Sequence, residues 1–401
     1  MANHSNRETE GNSKAGCAVC RVVKHNFRFH LDLTMLRRSV ARCLLTSVAL
    51  FIVSCSTAAP SKLQRYEFSR IEMAVPFRIV LYARSSTAAS NAAQAAFARV
   101  RQLNNILSDY DSDSELSRLS QTSGENQEVP VSDDLWRVLF RAQEISKKSD
   151  GAFDITVGPL VNLWRKARRE KKFPDAELLQ EAKSRVGYTK LVLNPRRKTA
   201  KLLLPGMRLD VGGIGKGYAL DEALKTLREL GIQRALVTGG GDMAAGDSPP
   251  GKPGWEIELA PLDVTNAPPA RFVLLKHGGL ATSGDLFQRL EINGKRYSHI
   301  VDPRTGIGLT DHSLVTIIAK DATTADGLSK VVSVLGAVRG FPVVEAEHAE
   351  ARAVRKPGDK TEERETPGFR KYYRKDSVNR KRAGRSFDWP ASGRALSFVT
   401  R

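Results

Sequence analysis

LDVGGIGKGYALDEAL, residues 209–224, places four glycines and one lysine directly before an amphipathic run. A phosphate-binding loop of the Walker type needs G-x-x-x-x-G-K-[ST] straight after a strand. Here Lys216 is followed by Gly217, and Met207–Asp210 is short for a strand, so that reading fails. Two readings remain. A plain Gly-rich turn would let a strand abut a helix. An anion site of another kind would use the backbone N–H groups of a helix N-terminus, with Lys216 adding a point charge. Asp210 argues against a naked anion, because a carboxylate beside phosphate implies a sugar hydroxyl, a ring N–H or a metal in the same pocket. The run that follows repeats Leu220, Leu224 and Leu227 at helical spacing and stops at Gly231.

Outward from this helix the chain mixes both periodicities. FRIVLYA (77–83) alternates and is β-branched, as a strand is. Ala92, Ala96, Val100, Leu103 and Leu107 recur at helical spacing between Ser86 and Leu107. YDSDSELSRL (110–119) predicts a turn and a short helix. VSDDLWRVLFRAQEISKKSDG (131–151) predicts a helix capped by Ser132, with Leu135, Leu139, Ala142 and Ile145 inward and Gly151 as its stop. TKLVLN (189–194) and KLLL (201–204) predict a small hairpin. Strands follow at RALVTG (234–239), WEIELA (255–260), RFVLLK (271–276), RLEINGKRYSHIV (289–301) and SLVTIIA (313–319), with Asn293-Gly294 as a type I′ hairpin turn. TTADGLSKVVSVLG (323–336) predicts a helix closed by Gly336. TGGGDMAAG (238–246) contains a degenerate G-x-G-x-x-A, but DSPPGKPG (247–254) follows where a Rossmann site needs a helix, so that site is rejected. No repeat of 20–50 residues occurs. The pattern predicts an α+β fold: one domain with a central, largely antiparallel sheet flanked by helices.

The net charge of the 401 residues is +19, unevenly placed. Residues 1–55 and 375–401 each carry +5, leaving +9 for the 319 residues between them. That middle region suits an anionic ligand and lacks zinc-finger, RNA-binding aromatic or basic-zipper motifs, which argues against nucleic acid as the partner. All four cysteines (Cys17, Cys20, Cys43 and Cys55) lie near the N-terminus, so neither a disulfide framework nor thiol catalysis is expected in the core. Cys17, Cys20, His25 and His30 come near zinc-knuckle spacing without a folded element around them. MLRRSVARCLLTSVALFIVSCS (35–56) has a positive start and a 12-residue apolar run, short for a membrane span and within the range of a signal peptide. Its end, Ile52-Val53-Ser54-Cys55, resembles a bacterial lipobox. Residues 35–54 are therefore expected to be a lipoprotein signal peptide and Cys55 the lipidated N-terminus, anchored through several acyl chains to the cell envelope. Residues 1–34 read as an over-extended start, 55–66 as a tether, 67–374 as the domain, and 375–401 as a basic, disordered tail.

Eight stretches occur in order: EMAVPFRIVLYA (72–83), LSDYDSDSELSRL (107–119), GAFDITVGPLVNLW (151–164), LDVGGIGKGYALD (209–221), ALVTGGGDMAAG (235–246), LATSGDLF (280–287), GKRYSHIVDPRTG (294–306) and DATTADGLSKVVSVLG (321–336). Together they resemble the ApbE family of flavin transferases, which move FMN from FAD onto a protein. The resemblance implies an ApbE-like, T-fold-like domain with FAD as substrate, a magnesium ion, and a target flavoprotein that offers a Thr or Ser hydroxyl. It implies FAD contacts at Met73, Tyr110, Ala152, Phe153, Asp154, Asp210, Lys216 and Val301, and magnesium ligands at the Gly213 carbonyl and Asp326. An isoalloxazine ring suits the flat face of Tyr110, and carboxylates such as Asp154 and Asp210 accept from N–H and hydroxyl groups. Taken singly, Tyr110 and Phe153 read more often as core aromatics and Asp154 more often as a helix cap; it is their co-occurrence that raises them.

The implied chemistry is cleavage of a diphosphate by a hydroxyl, which needs a base. His299 suits that task because an imidazole titrates near neutral pH. Alternatively it is a structural histidine ordering the DPRTG turn through Asp302, a carboxylate that could also orient its ring. One departure from the family pattern stands out. The magnesium motif A-D-x-x-x-T places Asp and Thr one helical turn apart, whereas ADGLSK puts Lys330 in the Thr position. Either magnesium is held by Gly213, Asp326, phosphate and water, or the Lys330 ammonium partly replaces it. FAD hydrolysis to FMN and AMP, and FAD binding without catalysis, remain as alternatives.

Overall fold

The structure, a computed structural model, describes residues 62–263, 270–284, 289–357 and 360–375. Strands β1 (Gln64–Glu72) and β2 (Val75–Ala83) form a hairpin whose turn residues, Met73 and Ala74, both have positive φ. Helix α1 (Ser86–Leu107) is capped by Ser85, and all five apolar positions expected along it are buried. Then come α2 (Glu115–Gln121), the short strand β3 (Val129–Pro130) and α3 (Asp133–Lys148), which Ser132 caps by accepting from the Leu135 N–H. Helices α4 (Gly158–Glu170) and α5 (Ala176–Ser184) precede β4 (Leu191–Asn194) and β5 (Thr199–Leu202), which pair as the expected hairpin. Helix α6 (Gly215–Glu229) follows the opening glycines.

The second half is mostly strand. It contains β6 (Ala235–Gly239), β7 (Asp242–Ala245), β8 (Trp255–Glu258), β9 (Phe272–Leu275), β10 (Gly278–Gly284), β11 (Arg289–Ile292), β12 (Lys295–Ser298) and β13 (Ser313–Ala319). Helix α7 (Ala322–Ala346), β14 (Glu350–Arg355) and β15 (Glu362–Glu365) complete it. Eight strands make one sheet in the order β1-β2-β6-β7-β10-β13-β14-β15, with every neighbouring pair antiparallel.

Strand alternation divides the core between the two faces of this sheet. Phe77, Ile79, Leu81, Val237 and Ile317 point to one face, where α1, α3, α6 and α7 bury Phe97, Leu103, Leu139, Leu220 and Leu328. Val80, Leu236 and Ile318 point to the other, covered by Trp255, Val273 and Phe369 from the β8–β9 hairpin and a C-terminal turn. A smaller cluster joins Leu160, Trp164, Tyr297 and Val301. Side chains buried this fully contribute roughly 1.5–3 kcal/mol each.

Two boundaries differ from the sequence reading. The first strand begins at Gln64, inside the expected tether, and pairs along its whole length with β2. Gly336 does leave helical geometry (φ 71°, ψ 172°), but helix resumes beyond it to Ala346. Asn293 and Gly294 both have positive φ, as a type I′ turn requires. Residues 1–61, with the expected leader, the cysteines and Cys55, lie outside the described residues, as do 376–401 of the expected tail.

Candidate active site

The loop before α6 is shaped by Asp210. Its Oδ1 accepts from the Gly212 N–H at 2.8 Å, and its own N–H donates to the Ile155 carbonyl at 2.8 Å. Ile214 at the helix N-cap offers no side-chain acceptor, so the first turn must find partners elsewhere. The Gly217 N–H donates to Asp326 Oδ2 of α7 at 3.1 Å. The anion at this helix terminus is therefore a carboxylate of the chain itself, and the Gly217 N–H is not open to phosphate. Gly217 is required by contact: a Cβ there would lie 2.3 Å from the Ala322 carbonyl oxygen. That close approach brings Lys216 to α7.

Two buried carboxylates and two half-buried ammonium groups meet at this seam. Lys216 Nζ lies 2.9 Å from Asp242 Oδ2 and 3.5 Å from Asp326 Oδ2. Lys330 Nζ lies 2.5 Å from Asp326 Oδ1 and 3.1 Å from Ser329 Oγ. Asp326 is 0% exposed. Asp242 leads β7, just past a turn made by Gly240 and Gly241 with φ of 60° and 100°. Its Oδ1 accepts from the Thr282 N–H of β10 at 3.2 Å. Its Oδ2 is buried and accepts no hydrogen bond of good angle, so charge alone holds it to Lys216. Burial would raise the Asp326 pKa, yet Lys216 and Lys330 outweigh it and hold the carboxyl below its usual range. Asp242 is pushed up by burial, with Lys216 opposing and Asp326 adding. Burial would lower the Lys216 ammonium, but Asp242 and Asp326 raise it.

Beside this quartet lies a second charged group. Arg165 of α4 binds Asp109 through Nη1 and Asp210 Oδ2 through Nη2 at 3.2 Å. Its guanidinium carbon stands 4.1 Å from the Tyr110 ring centroid. Tyr110 is 77% exposed, so it is no core aromatic, and Arg165 covers one of its faces. Burial first, then the neighbouring Asp109, raises the Asp210 pKa, while Arg165 opposes them.

The remaining expected residues fall as follows. Phe153 is buried, and its ring approaches to 3.2 Å of where a Cβ on Gly213 would stand; the Lys330 side chain lies against the same point, at 3.4 Å. Ala152 and Asp154 are buried beside it. Asp154 Oδ1 accepts from both the backbone N–H and the hydroxyl of Thr156, holding a turn rather than capping a helix, and burial raises its pKa. Met73 is half-buried against the main core, and the next residue but one, Val75, touches Gly240, which also faces the Lys216 stem. His299 and Val301 follow β12. The Val301 side chain joins the Leu160–Trp164–Tyr297 cluster. The Asp302 carboxylate is engaged by Arg304, through its backbone N–H, Nε and Nη2, each at 2.9 Å. A cleft of about 780 Å³ lined by Arg137, Arg141, Tyr218, Asp221 and Lys225 holds none of the expected site residues.

These donors do not make a magnesium site. Magnesium prefers about six oxygens in octahedral geometry. Asp326 Oδ1 is taken by Lys330, and Oδ2 by the Gly217 N–H and Lys216. The Ser329 hydroxyl donates to the Asp326 carbonyl at 2.7 Å. Among the described residues no cluster of three His, Cys, Asp or Glu side chains could hold a metal ion. The expectation of magnesium held by Gly213 and Asp326 therefore meets a carboxylate whose two oxygens are both engaged by the chain.

Sequence reasoning missed Asp242, Arg165 and Asp109. Asp242 had a signal, since an acid directly after a glycine-made turn is placed by that turn. Arg165 had none, because it sits among Lys166, Arg168 and Arg169 on one helix.

The model of the ApbE family matches residues 73–354. An FAD:protein FMN transferase of Haemophilus influenzae is 36% identical over 253 residues, covering 61% of this chain and 73% of the relative. Its counterpart in Escherichia coli is 31% identical over 346 residues, covering 83% of this chain and 97% of the relative. Among solved structures, the flavin transferase ApbE from Vibrio cholerae superposes with a TM-score of 0.69 at 28% identity, covering 78% of this chain and 100% of that one. The apo form of a Pseudomonas stutzeri flavinyl transferase ApbE gives 0.69 at 29% identity, covering 78% and 97%. With its all-antiparallel sheet and the Gly-rich loop before α6, the chain belongs to the ApbE family.

Proposed function

We propose that the protein is an FAD:protein FMN transferase, moving FMN from FAD to a Thr or Ser hydroxyl of a target flavoprotein. The observation that carries this reading is the match along 97% of a relative of that name, with the loop before α6, Phe153 and Asp326 converging at one place. The acceptor oxygen attacks the FMN-side phosphorus, the bond from that phosphorus to the bridging oxygen breaks, and AMP leaves with that oxygen. The hydroxyl proton passes to a base, and His299 takes that role. Asp210 and Asp154 accept from FAD, Met73, Tyr110, Ala152, Phe153 and Val301 border the flavin, and Lys216 lies at the diphosphate. Because both oxygens of the carboxylate expected to hold magnesium are engaged by the chain, no step is assigned to a metal. Lipidation of Cys55 and attachment on the outer side of a bacterial membrane remain part of the proposal, supported by the lipobox-like sequence.

Incubation with FAD and a candidate flavoprotein acceptor tests the reading. Fluorescent acceptor on a denaturing gel supports transfer; free FMN with AMP replaces it by hydrolysis; intact FAD replaces it by storage. His299→Ala should lower transfer by about 10²–10⁴ while FAD affinity stays within a few fold, because a base acts only as the proton leaves. Equal collapse of affinity and turnover would make His299 structural.

A further inference from the structure

We infer that Lys330 occupies the place of a metal ion, so that diphosphate cleavage in this chain proceeds without a divalent cation. The inference rests on the transferase reading for its substrate and on the structure for its site. Both oxygens of a fully buried carboxylate are held by the chain's own cations and by one backbone N–H. The Lys330 stem lies beside Gly213, 3.4 and 3.7 Å from the position of a Cβ, and so packs against the residue expected to offer the carbonyl ligand. The side chain one residue earlier, Ser329, is tied to the Asp326 carbonyl and to Lys330. A dication entering here would have to displace an ammonium 2.5 Å from the same carboxylate oxygen, and it would face the Lys216 ammonium as well.

An ammonium has three donors. Lys330 spends one on Asp326 and one on Ser329, which leaves one for a phosphate oxygen. In the reaction, the bond between the FMN phosphorus and the bridging oxygen breaks and negative charge grows on the departing AMP. The Lys330 and Lys216 ammonium groups lie where a metal would otherwise neutralise that charge. Two lysines and two aspartates sum to zero, whereas Asp326 with a dication in place of Lys330 would leave the site one unit more positive. The lysine arrangement is therefore weaker in electrostatic stabilisation but needs nothing from solution.

The test compares wild type, Lys330→Thr and Lys330→Met, using Mn²⁺ as a paramagnetic probe and FAD cleavage with and without a chelator. Wild type should bind no Mn²⁺ at millimolar concentration, and its cleavage should change less than twofold on chelation or on adding magnesium. Lys330→Thr supplies an oxygen ligand and frees Asp326 Oδ1. It should bind one Mn²⁺, and its cleavage should rise at least tenfold with magnesium. Lys330→Met keeps the stem and removes the charge; it should lose at least tenfold of the chelator-resistant activity. Tight Mn²⁺ binding by wild type, or full chelator-resistant activity in Lys330→Met, overturns the inference. If no protein processes FAD, the transferase reading falls, while the Mn²⁺ titration still decides what occupies the site.

Discussion

Arg165 separates two carboxylates that would otherwise repel at close range. Asp109 and Asp210 are both largely buried, and each gives an oxygen to the same guanidinium. Removing one partner of a buried pair is costlier than the pair is worth, because it strands the other charge. Arg165→Ala should therefore lose about 2–4 kcal/mol at pH 7, measured by urea unfolding. The sign of its pH dependence follows from Asp210. That carboxyl is already raised above its unfolded value by burial and by Asp109, and losing Arg165 raises it further. A raised acid contributes stability that is present below its unfolded pKa and lost as pH climbs through the folded one. The deficit of the variant should thus shrink as pH falls from 7 toward the ordinary carboxylate range; a deficit that stays the same at every pH would show that Asp210 does not carry it. At this scale the Gly-rich loop itself pointed to Asp210 and Lys216, whereas Asp326 was picked out only by the resemblance to the family's magnesium motif. It was silent on Arg165, because which of four basic residues turns inward depends on where α4 lies against Asp109 and Asp210.

The start of α7 is joined to α6 by more than the lysine cluster. Asp221 of α6 accepts from the N–H groups of Ala322 and Thr323, at 2.9 and 2.8 Å, and from the Thr323 hydroxyl at 2.5 Å. It thereby caps a helix from outside, alongside Asp321, which accepts from the Thr324 N–H. Burial lifts the Asp221 carboxyl to about 6, the hydrogen bonds opposing. The ionised form consequently destabilises the fold, by no more than about 3 kcal/mol, above that pH. Relative to Asp221→Asn, the wild type should gain stability as pH falls from 7 to 5. Parallel stabilities across that window, again from urea unfolding, would remove Asp221 from the titration. Helices α1, α3, α6 and the first part of α7, and the apolar strands, were readable from their periods, whereas α4 and α5 were not. Strand β10, GGLATSG, was not, because its glycines are poor strand formers. A Cβ on Gly279 would fall 2.2 Å from the Ala322 nitrogen, so that glycine answers to the start of α7 and not to the strand that carries it.

The whole sheet has two edges, β1 and β15. Strand β1 keeps Arg65, Glu67 and Arg70 largely outside, as an edge that must not recruit other chains does. Its few apolar residues explain why the sequence suggested a tether for part of it, and why the domain appeared to begin later. The family match starts only at residue 73, past this strand. A chain starting at Lys62 should fold normally, whereas one starting at Met73 should expose the β2 edge, with Phe77, Ile79 and Leu81 beneath it. That chain should aggregate or unfold at least 10 °C lower, by light scattering and calorimetry; equal melting would make β1 dispensable.

A lysine at position 330 also changes what the site owes to its surroundings. A dication is a shared resource, drawn from whatever medium bathes the protein and contested by every chelator in it. An amine carried on α7 is delivered once per molecule at synthesis, in the right place, and cannot be stripped out or exchanged for a wrong metal. On the inference drawn above, the site trades strength for self-sufficiency, its readiness resting on the chain being folded and not on mineral supply.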